Sequence, residues 1–375
     1  MLAWKTDLFL YYDGGVIRVE NVSIRRGIFQ GDALSPLLFI LAINPLSLFI
    51  NRRCKGYCLN KLNVSHVLYM DDLKGVSSSF QSLKKMATLI ENFSTDIGME
   101  LGLSKCKVIN LVGGRYAMLG DIVLESGGVI KELNEDETYK YLGVQELDGI
   151  KHQLMKEKTL KDAKSKLRKL LETELNGKNL IVAINECVLP VVTYSFGILN
   201  WLESELKGFD VQVRKLLNIY QMFSLHSDVD RLYTSRKLGG RGLISVWDAF
   251  KSSICRVAHM MRNLESEILA ACCAVDQKSL FSNLKRADKY ESEVNFELQP
   301  TFWEKPVLLQ AKMKASCIRA CLVENHLTAW KLKPQHGAFL RKLETLAGVD
   351  IKASMSWLSS CHLAPYSESY GGFHI

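Results

Sequence analysis

Ser65-His66-Val67-Leu68-Tyr69-Met70-Asp71-Asp72-Leu73-Lys74-Gly75-Val76-Ser77 is the stretch on which the fold turns. It reads as a short strand, two carboxylates and a second strand, a β-hairpin with Asp71 and Asp72 at its tip. Two like charges ~4 Å apart repel by roughly 1 kcal/mol in water and ~4 kcal/mol at an effective dielectric of 20. Holding them together makes sense if divalent cations neutralise them. Adjacent carboxylates on a rigid turn suit Mg²⁺, which takes a few carboxylates, waters and phosphate oxygens. Asp71 and Asp72 are therefore candidate metal ligands and catalytic residues for two-metal phosphoryl transfer. Mg²⁺ is the expected cofactor, with Mn²⁺ as the alternative. A solvated Asp-Asp turn accounts for these residues alone equally well.

Upstream, residues 8–20 predict another hairpin, turning at Asp13-Gly14-Gly15. Then comes Gly27-Ile28-Phe29-Gln30-Gly31-Asp32-Ala33-Leu34-Ser35-Pro36, with two glycines four apart that let a backbone approach closely. Ser35 reads as a helix N-cap with Pro36 at the first helical position. The run Leu37 to Phe49 is apolar nearly all round, which predicts a buried helix kinked or restarted at Pro45. Downstream, Leu83, Met86, Ala87, Ile90 and Phe93 mark one face of a helix over about 80–97. A turn and strand follow over Gly98 to Asn110, and Tyr139 to Val144 ends a second small hairpin. From residue 151 the pattern is helical, over about 151–175, 178–200, 204–222, 245–271 and 307–330.

The 375 residues are 47% hydrophobic, 23% charged and 9% aromatic, which excludes a disordered tail, a collagen and a coiled-coil rod. The net charge of +8 is compatible with a polyanionic partner. Much of it sits between Lys151 and Lys169, where eight basic residues face only Glu157 and Asp162. The longest apolar run, Leu37 to Ile50, is broken by Asn44 and Pro45 and falls short of the ~20 residues a bilayer span needs, so no membrane is expected. Ten cysteines scattered along the chain predict a reduced, intracellular protein. Zinc is the rival reading for the pairs Cys54/Cys58 and Cys317/Cys321, but neither has a second pair at finger spacing.

Taken in order, these motifs resemble a reverse transcriptase. Gly27 to Phe39 is similar to the family's template- and nucleotide-contacting loop and helix. Tyr69-Met70-Asp71-Asp72 is similar to its catalytic hairpin, Gly98 to Lys107 to the following glycine-and-lysine motif, and Tyr139 to Val144 to its primer grip. The resemblance implies contacts to template and nucleotide from Gly27, Gln30, Gly31, Ser35, Tyr69 and Lys105. It implies a primer grip at Tyr141, Leu142 and Gly143. Lys158, Lys161, Lys164 and Arg168 would follow a nucleic-acid backbone, against the plain alternative of a solvated helix face. A solvated Lys105 and a core-packed Tyr141 and Leu142 stay open in the same way, and His336 reads as structural. The implied partners are an RNA template, a DNA primer and dNTPs, with the oligomeric state open. The implied fold is α+β: a partial right-hand polymerase palm, an antiparallel sheet with packed helices, over 1–148. An all-α thumb follows over 149–262 and a helical connector over 263–375.

Leu175-Asn176-Gly177-Lys178, Tyr194-Ser195-Phe196-Gly197, Asp230-Arg231-Leu232-Tyr233 and Gly239-Gly240-Arg241-Gly242-Leu243 resemble non-LTR retrotransposon polymerases. The match is best to the site-specific group with a C-terminal restriction-like endonuclease, whose parent element implies a nuclear location. Such a polymerase needs a third carboxylate, in a pattern such as Asp-x-x-x-Ala-Phe-Asp on an earlier strand. None precedes Gly27, where only Asp7, Asp13 and Glu20 are acidic. The expectation is a chain truncated at both ends, a fragment of an RNA-directed DNA polymerase without activity alone. The alternative is a polymerase-derived nucleic-acid-binding module without catalysis.

Overall fold

The structure is a computed structural model describing residues 5–12, 14–23, 27, 31–346 and 348–359. The chain divides into two compact units, residues 1–143 and 144–375.

In the first unit, β1 (Lys5–Tyr12) and β2 (Gly15–Ser23) pair antiparallel, with an irregularity in the register at Asp7. Helix α1 (Ser35–Arg53) leads through the hairpin β3 (Tyr57–Leu59) and β4 (Leu62–Val64) to β5 (His66–Tyr69) and β6 (Asp72–Gly75). Helix α2 (Phe80–Asp96) follows, its Ser79 side chain accepting from the Ser82 N–H as a true N-cap. Short strands come next: β7 (Lys107–Val108), β8 (Leu111–Val112), β9 (Arg115–Tyr116), β10 (Ile122–Val123) and β11 (Val129–Glu132). Strands β12 (Tyr139–Tyr141) and β13 (Val144–Glu146) make a hairpin at whose turn the units divide. Two cores sit on either side of α2. Leu46, Ile50, Cys54 and Met86 join α1 to α2, and Ala87, Val108, Ile122, Leu124 and Ile130 join α2 to the β10–β11–β7 sheet.

Three expectations change here. The β11–β7 pair is parallel, so the sheets are not all antiparallel. Ser35 is the first helical residue and not the N-cap: Leu34 precedes the helix with no side-chain cap, and Asp32 Oδ1 accepts from the Leu34 N–H. Helix α1 is not buried. Only Ser35, Ile43, Leu46 and Ile50 are fully covered, whereas Leu37, Ile40, Leu41, Leu48 and Phe49 stand exposed. One stripe of the helix meets α2 and the strands, and no described element covers the other. The helix runs unbroken through Pro45 and is long and apolar enough, by length and composition, to cross a membrane. Its Ser47 and Asn51 nevertheless bond into the protein, at His66 and Ser65.

The second unit is helical: α3 (His152–Leu171), α4 (Gly177–Ala183), a π turn over Ile184–Val188, α5 (Leu189–Thr193), α6 (Glu203–Ile219), α7 (Val229–Tyr233) and α8 (Val246–Asn263). Then come α9 (Glu267–Asp276), α10 (Asn283–Ser292), α11 (Val307–Leu332), α12 (Ala338–Thr345) and α13 (Ile351–Ser354). The helix expected over 178–200 ends at Thr193, after a π turn abutting Pro190, whose missing N–H breaks the regular ladder. The one expected over 245–271 is two helices, parted at Leu264. A single core runs from Ala163 to Leu322, with buried residues on both sides of residue 262. Its aromatic centre stacks Trp247 on Phe250 at 5.7 Å and sets Phe196 edge-on to Phe250 at 5.0 Å.

Candidate functional site

Strands β5 and β6 close a two-residue turn, with Tyr69 opposite Asp72 and only Met70 and Asp71 between. Met70 has φ +53°, a left-handed conformation that costs a side-chain-bearing residue roughly 1–2 kcal/mol. Strand alternation assigns the two faces. Leu68 lies opposite Leu73 on the inner face, where Leu73 packs against the α1–α2 core. On the outer face Val67 lies opposite Lys74 and Tyr69 opposite Asp72, and Asp71 and Asp72 are both exposed. No third strand pairs with this hairpin among the described residues.

The base of the hairpin is tied to α1 by side chains. Ser65 Oγ donates to Asn51 Oδ1 at 2.7 Å, which leaves its lone pairs to accept from His66 Nδ1 at 3.0 Å. His66 Nε2 then accepts from Ser47 Oγ at 2.8 Å. This chain uses a neutral imidazole, and burial lowers the His66 pKa from its ordinary value of 6.5.

A second hairpin reaches the first. The Lys74 ammonium lies 5.1 Å from the Tyr141 ring centroid, a cation–π contact. In the turn that follows, Leu142 (φ +44°) and Gly143 (φ +84°) are both left-handed, as a tight hairpin turn with two positive φ angles requires. The structure thus brings Tyr141 beside the strand that carries Asp72. Lys74 is the residue the sequence reading missed. Its signal was there: it lies two residues after Asp72 and so shares its face.

The other predicted residues are spread out. Gly27 and Gly31 have φ +86° and +94°, and among the described residues nothing lies within 4 Å of where a Cβ would project. Gln30 lies outside the described residues. Ser35 is buried at the start of α1, and its Oγ has no hydrogen-bond partner among the described residues. Lys105 ends a short 3₁₀ turn, Leu103–Lys105, and is exposed. Asp7, a candidate third carboxylate, is already engaged: Arg18 Nη2 donates to it at 2.6 Å and the Asn21 N–H at 2.9 Å, which lowers its pKa. Asp13 lies outside the described residues. Among those described, no group of three or more His, Cys, Asp or Glu residues is placed to hold a metal ion.

In the second unit, Lys158, Lys161, Lys164 and Arg168 fall within roughly 120° of arc on α3 at about 100° per residue. They lie opposite the buried Thr159, Ala163 and Leu167. Lys158, Lys161 and Arg168 are exposed and Lys164 is half-buried. Lys156 is not part of that face. It is buried, donates to Glu205 at 2.8 Å and lies 5.5 Å from the Trp201 ring centroid.

Residues 3–145 match the family described as reverse transcriptase (RNA-dependent DNA polymerase). Over 246 residues the chain is 24% identical to a retrovirus-related Pol polyprotein from type-1 retrotransposable element R2 of Popillia japonica, covering 64% of this chain and 40% of that protein. Over 225 residues it is 21% identical to the corresponding polyprotein from type-2 retrotransposable element R2DM of Drosophila melanogaster, covering 59% of this chain and 21% of that protein. The matched part is thus less than half the length of either relative. The family match spans the glycine loop, the Asp71-Asp72 hairpin, Lys105 and the Tyr141 hairpin.

Proposed function

We propose that this chain is part of an RNA-directed DNA polymerase of a non-LTR retrotransposon, extending a DNA primer on an RNA template by two-metal nucleotidyl transfer. The observation that carries this reading is the tight β5–β6 hairpin presenting Asp71 and Asp72 within a stretch that matches reverse transcriptases. In this reading residues 1–148 are a partial palm, 149–262 a thumb and 263–375 a connector, of the site-specific kind that carries a downstream endonuclease.

The donor set suits Mg²⁺: two exposed carboxylates on a two-residue turn offer hard oxygen ligands. When bound, the ions would supply charge neutralisation at the attacking and leaving oxygens. The chain's own residues do the positioning. Gly27 and Gly31 leave room for a nucleotide or template backbone to pass. The buried Ser35 Oγ offers a hydrogen-bonding group at the start of α1. Tyr69, on the same face as Asp72, supplies a flat apolar surface, and Tyr141 with Leu142 and Gly143 presses the primer. Lys105 stands in solvent, able to meet phosphate charge. Lys158, Lys161, Lys164 and Arg168 track the duplex backbone.

Among the described residues no third carboxylate stands with Asp71 and Asp72, and a catalytic set that works with one member fewer loses orders of magnitude in rate. Purified chain given primer–template, Mg²⁺ and dNTPs is expected to bind the hybrid without extending the primer. An extension product abolished by Asp71→Asn would overturn the second half of that statement; no affinity for the hybrid would overturn the first. Paramagnetic Mn²⁺ should broaden NMR signals around residues 69–73, and this effect should vanish in Asp71→Asn/Asp72→Asn. That pair without a third among the described residues favours a second reading, a binding module that holds nucleic acid without catalysis. Mn²⁺ binding at the hairpin separates the two.

A further inference from the structure

Within the second unit, His326 on α11 lies between two carboxylates. Its Nδ1 is 2.8 Å from Asp230 Oδ1 on α7, and its Nε2 is 2.9 Å from Asp248 Oδ2 on α8. Ionised carboxylates only accept hydrogen bonds, whereas a neutral imidazole donates from one nitrogen alone. Both contacts can be hydrogen bonds only when the ring carries two protons. We propose that His326 is a proton-operated latch: as imidazolium it ties α11 to α7 and α8 at once, and losing one proton to solvent hydroxide loosens α11 and the C-terminal segment it carries.

The surroundings fit. The Tyr233 ring, also on α7, lies 5.1 Å from the His326 ring, and its hydroxyl accepts from Arg214 on α6 at 2.7 Å. Lys333, just past α11, donates to Asp228 and Asp230 at 2.6 Å each, and His336 lies 4.0 Å from Asp228. Three carboxylates, Asp228, Asp230 and Asp248, therefore face one lysine, two imidazoles and the Arg214–Tyr233 pair, with Asp210 on α6 adding further negative charge towards Tyr233. Burial disfavours the charged ring, but the two carboxylates outweigh it and hold the His326 pKa up at about 9. Lys333 is raised from its ordinary 10.5, so it keeps its proton while His326 titrates.

The latch controls a defined segment. Beyond His326, Leu327 and Trp330 on α11 form a small core with Leu340, Met355 and Leu358. Arg236 Nε and Nη2 donate to the Leu358 carbonyl at 3.0 and 2.7 Å, and the Trp330 Nε1–H to that of His336 at 2.9 Å. This cap hangs on the end of α11 that His326 anchors.

The test uses the full chain and two readouts: the ring NMR titration of His326, and amide-exchange protection factors over 334–358 against pH. The ring is expected to titrate near 9, and protection of the segment to fall at least tenfold across the same interval. Asp248→Asn removes the need for the second proton, because the introduced side-chain amide can donate to neutral Nε2. That variant should keep its protection through pH 10, and its ring should titrate lower. A wild-type ring titrating near its ordinary 6.5, or identical protection profiles in the two proteins, would overturn the proposal. The wild-type titration decides even if the variant does not fold.

Discussion

Asp72 and Lys74 share one face of a four-residue strand, and that proximity sets the character of the candidate site. Lys74 pairs in register with Val67 and reaches the Tyr141 ring, so it joins the carboxylate hairpin to the hairpin that follows. Replacing Lys74 with Met keeps the stem and removes the charge. It should leave the thermal midpoint nearly unchanged while weakening primer–template affinity, measurable by fluorescence anisotropy; unaltered affinity would remove Lys74 from the site. His66 gives a pH prediction. Its folded pKa lies below the unfolded 6.5, so the unfolded chain takes up the proton first. Its contribution to stability is complete above about 6.5 and is lost as pH falls towards the folded value. His66→Asn should abolish that part of the acid loss seen in urea melts between about pH 7 and 5. The sequence showed both carboxylates and the tyrosine, because their types and spacing are local. It did not show that Asp7 was spoken for, because the Arg18 that holds it is supplied by the strand opposite.

Helix α1 and helix α3 depart from expectation in opposite ways. An apolar run from Leu37 to Phe49 predicts burial, yet only the stripe through Ile43, Leu46 and Ile50 is covered. Leu46→Ala should therefore cost roughly 2–5 kcal/mol. Leu41→Gln should cost under about 1 kcal/mol, since surface changes usually stay within about half of that. Equal costs in denaturant melts would mean that the outer stripe is covered in solution. The eight basic residues of 151–169, seven of them on α3, look alike in sequence, but they divide. Lys156 is committed to Glu205 and Trp201, and Lys151 donates to Asp148 at 2.7 Å. Changing Lys158, Lys161, Lys164 and Arg168 together to Gln should flatten the salt dependence of duplex DNA binding by about 0.9 for each phosphate no longer neutralised. Lys156→Gln should leave that slope alone and lower the melting temperature. The 3.6-residue period made the helix legible; which lysine turned inward depended on Glu205, 49 residues away.

At the scale of the molecule, the two units have cores without a residue in common: in the helical unit one from Ala163 to Leu322 and a small one around Trp330, in the other two built on α2. Calorimetry of the full chain should accordingly show two transitions. Phe250→Ala, emptying the aromatic centre of the helical core, should lower one of them by roughly 3–5 kcal/mol and leave the other in place. A single transition that shifts as a whole would refute that independence. Sequence alone determined the order of motifs, the helical character after residue 151 and the pair of carboxylates at a hairpin tip. Those depend on side-chain type and short-range periodicity, which the chain carries at every position. Tertiary structure alone decided that His326 sits between Asp230 and Asp248, that Tyr141 lies by the strand of Asp72, and that half of α1 stays bare. Each of these depends on which distant residue supplies a partner, and pairing at long range is written in no local pattern.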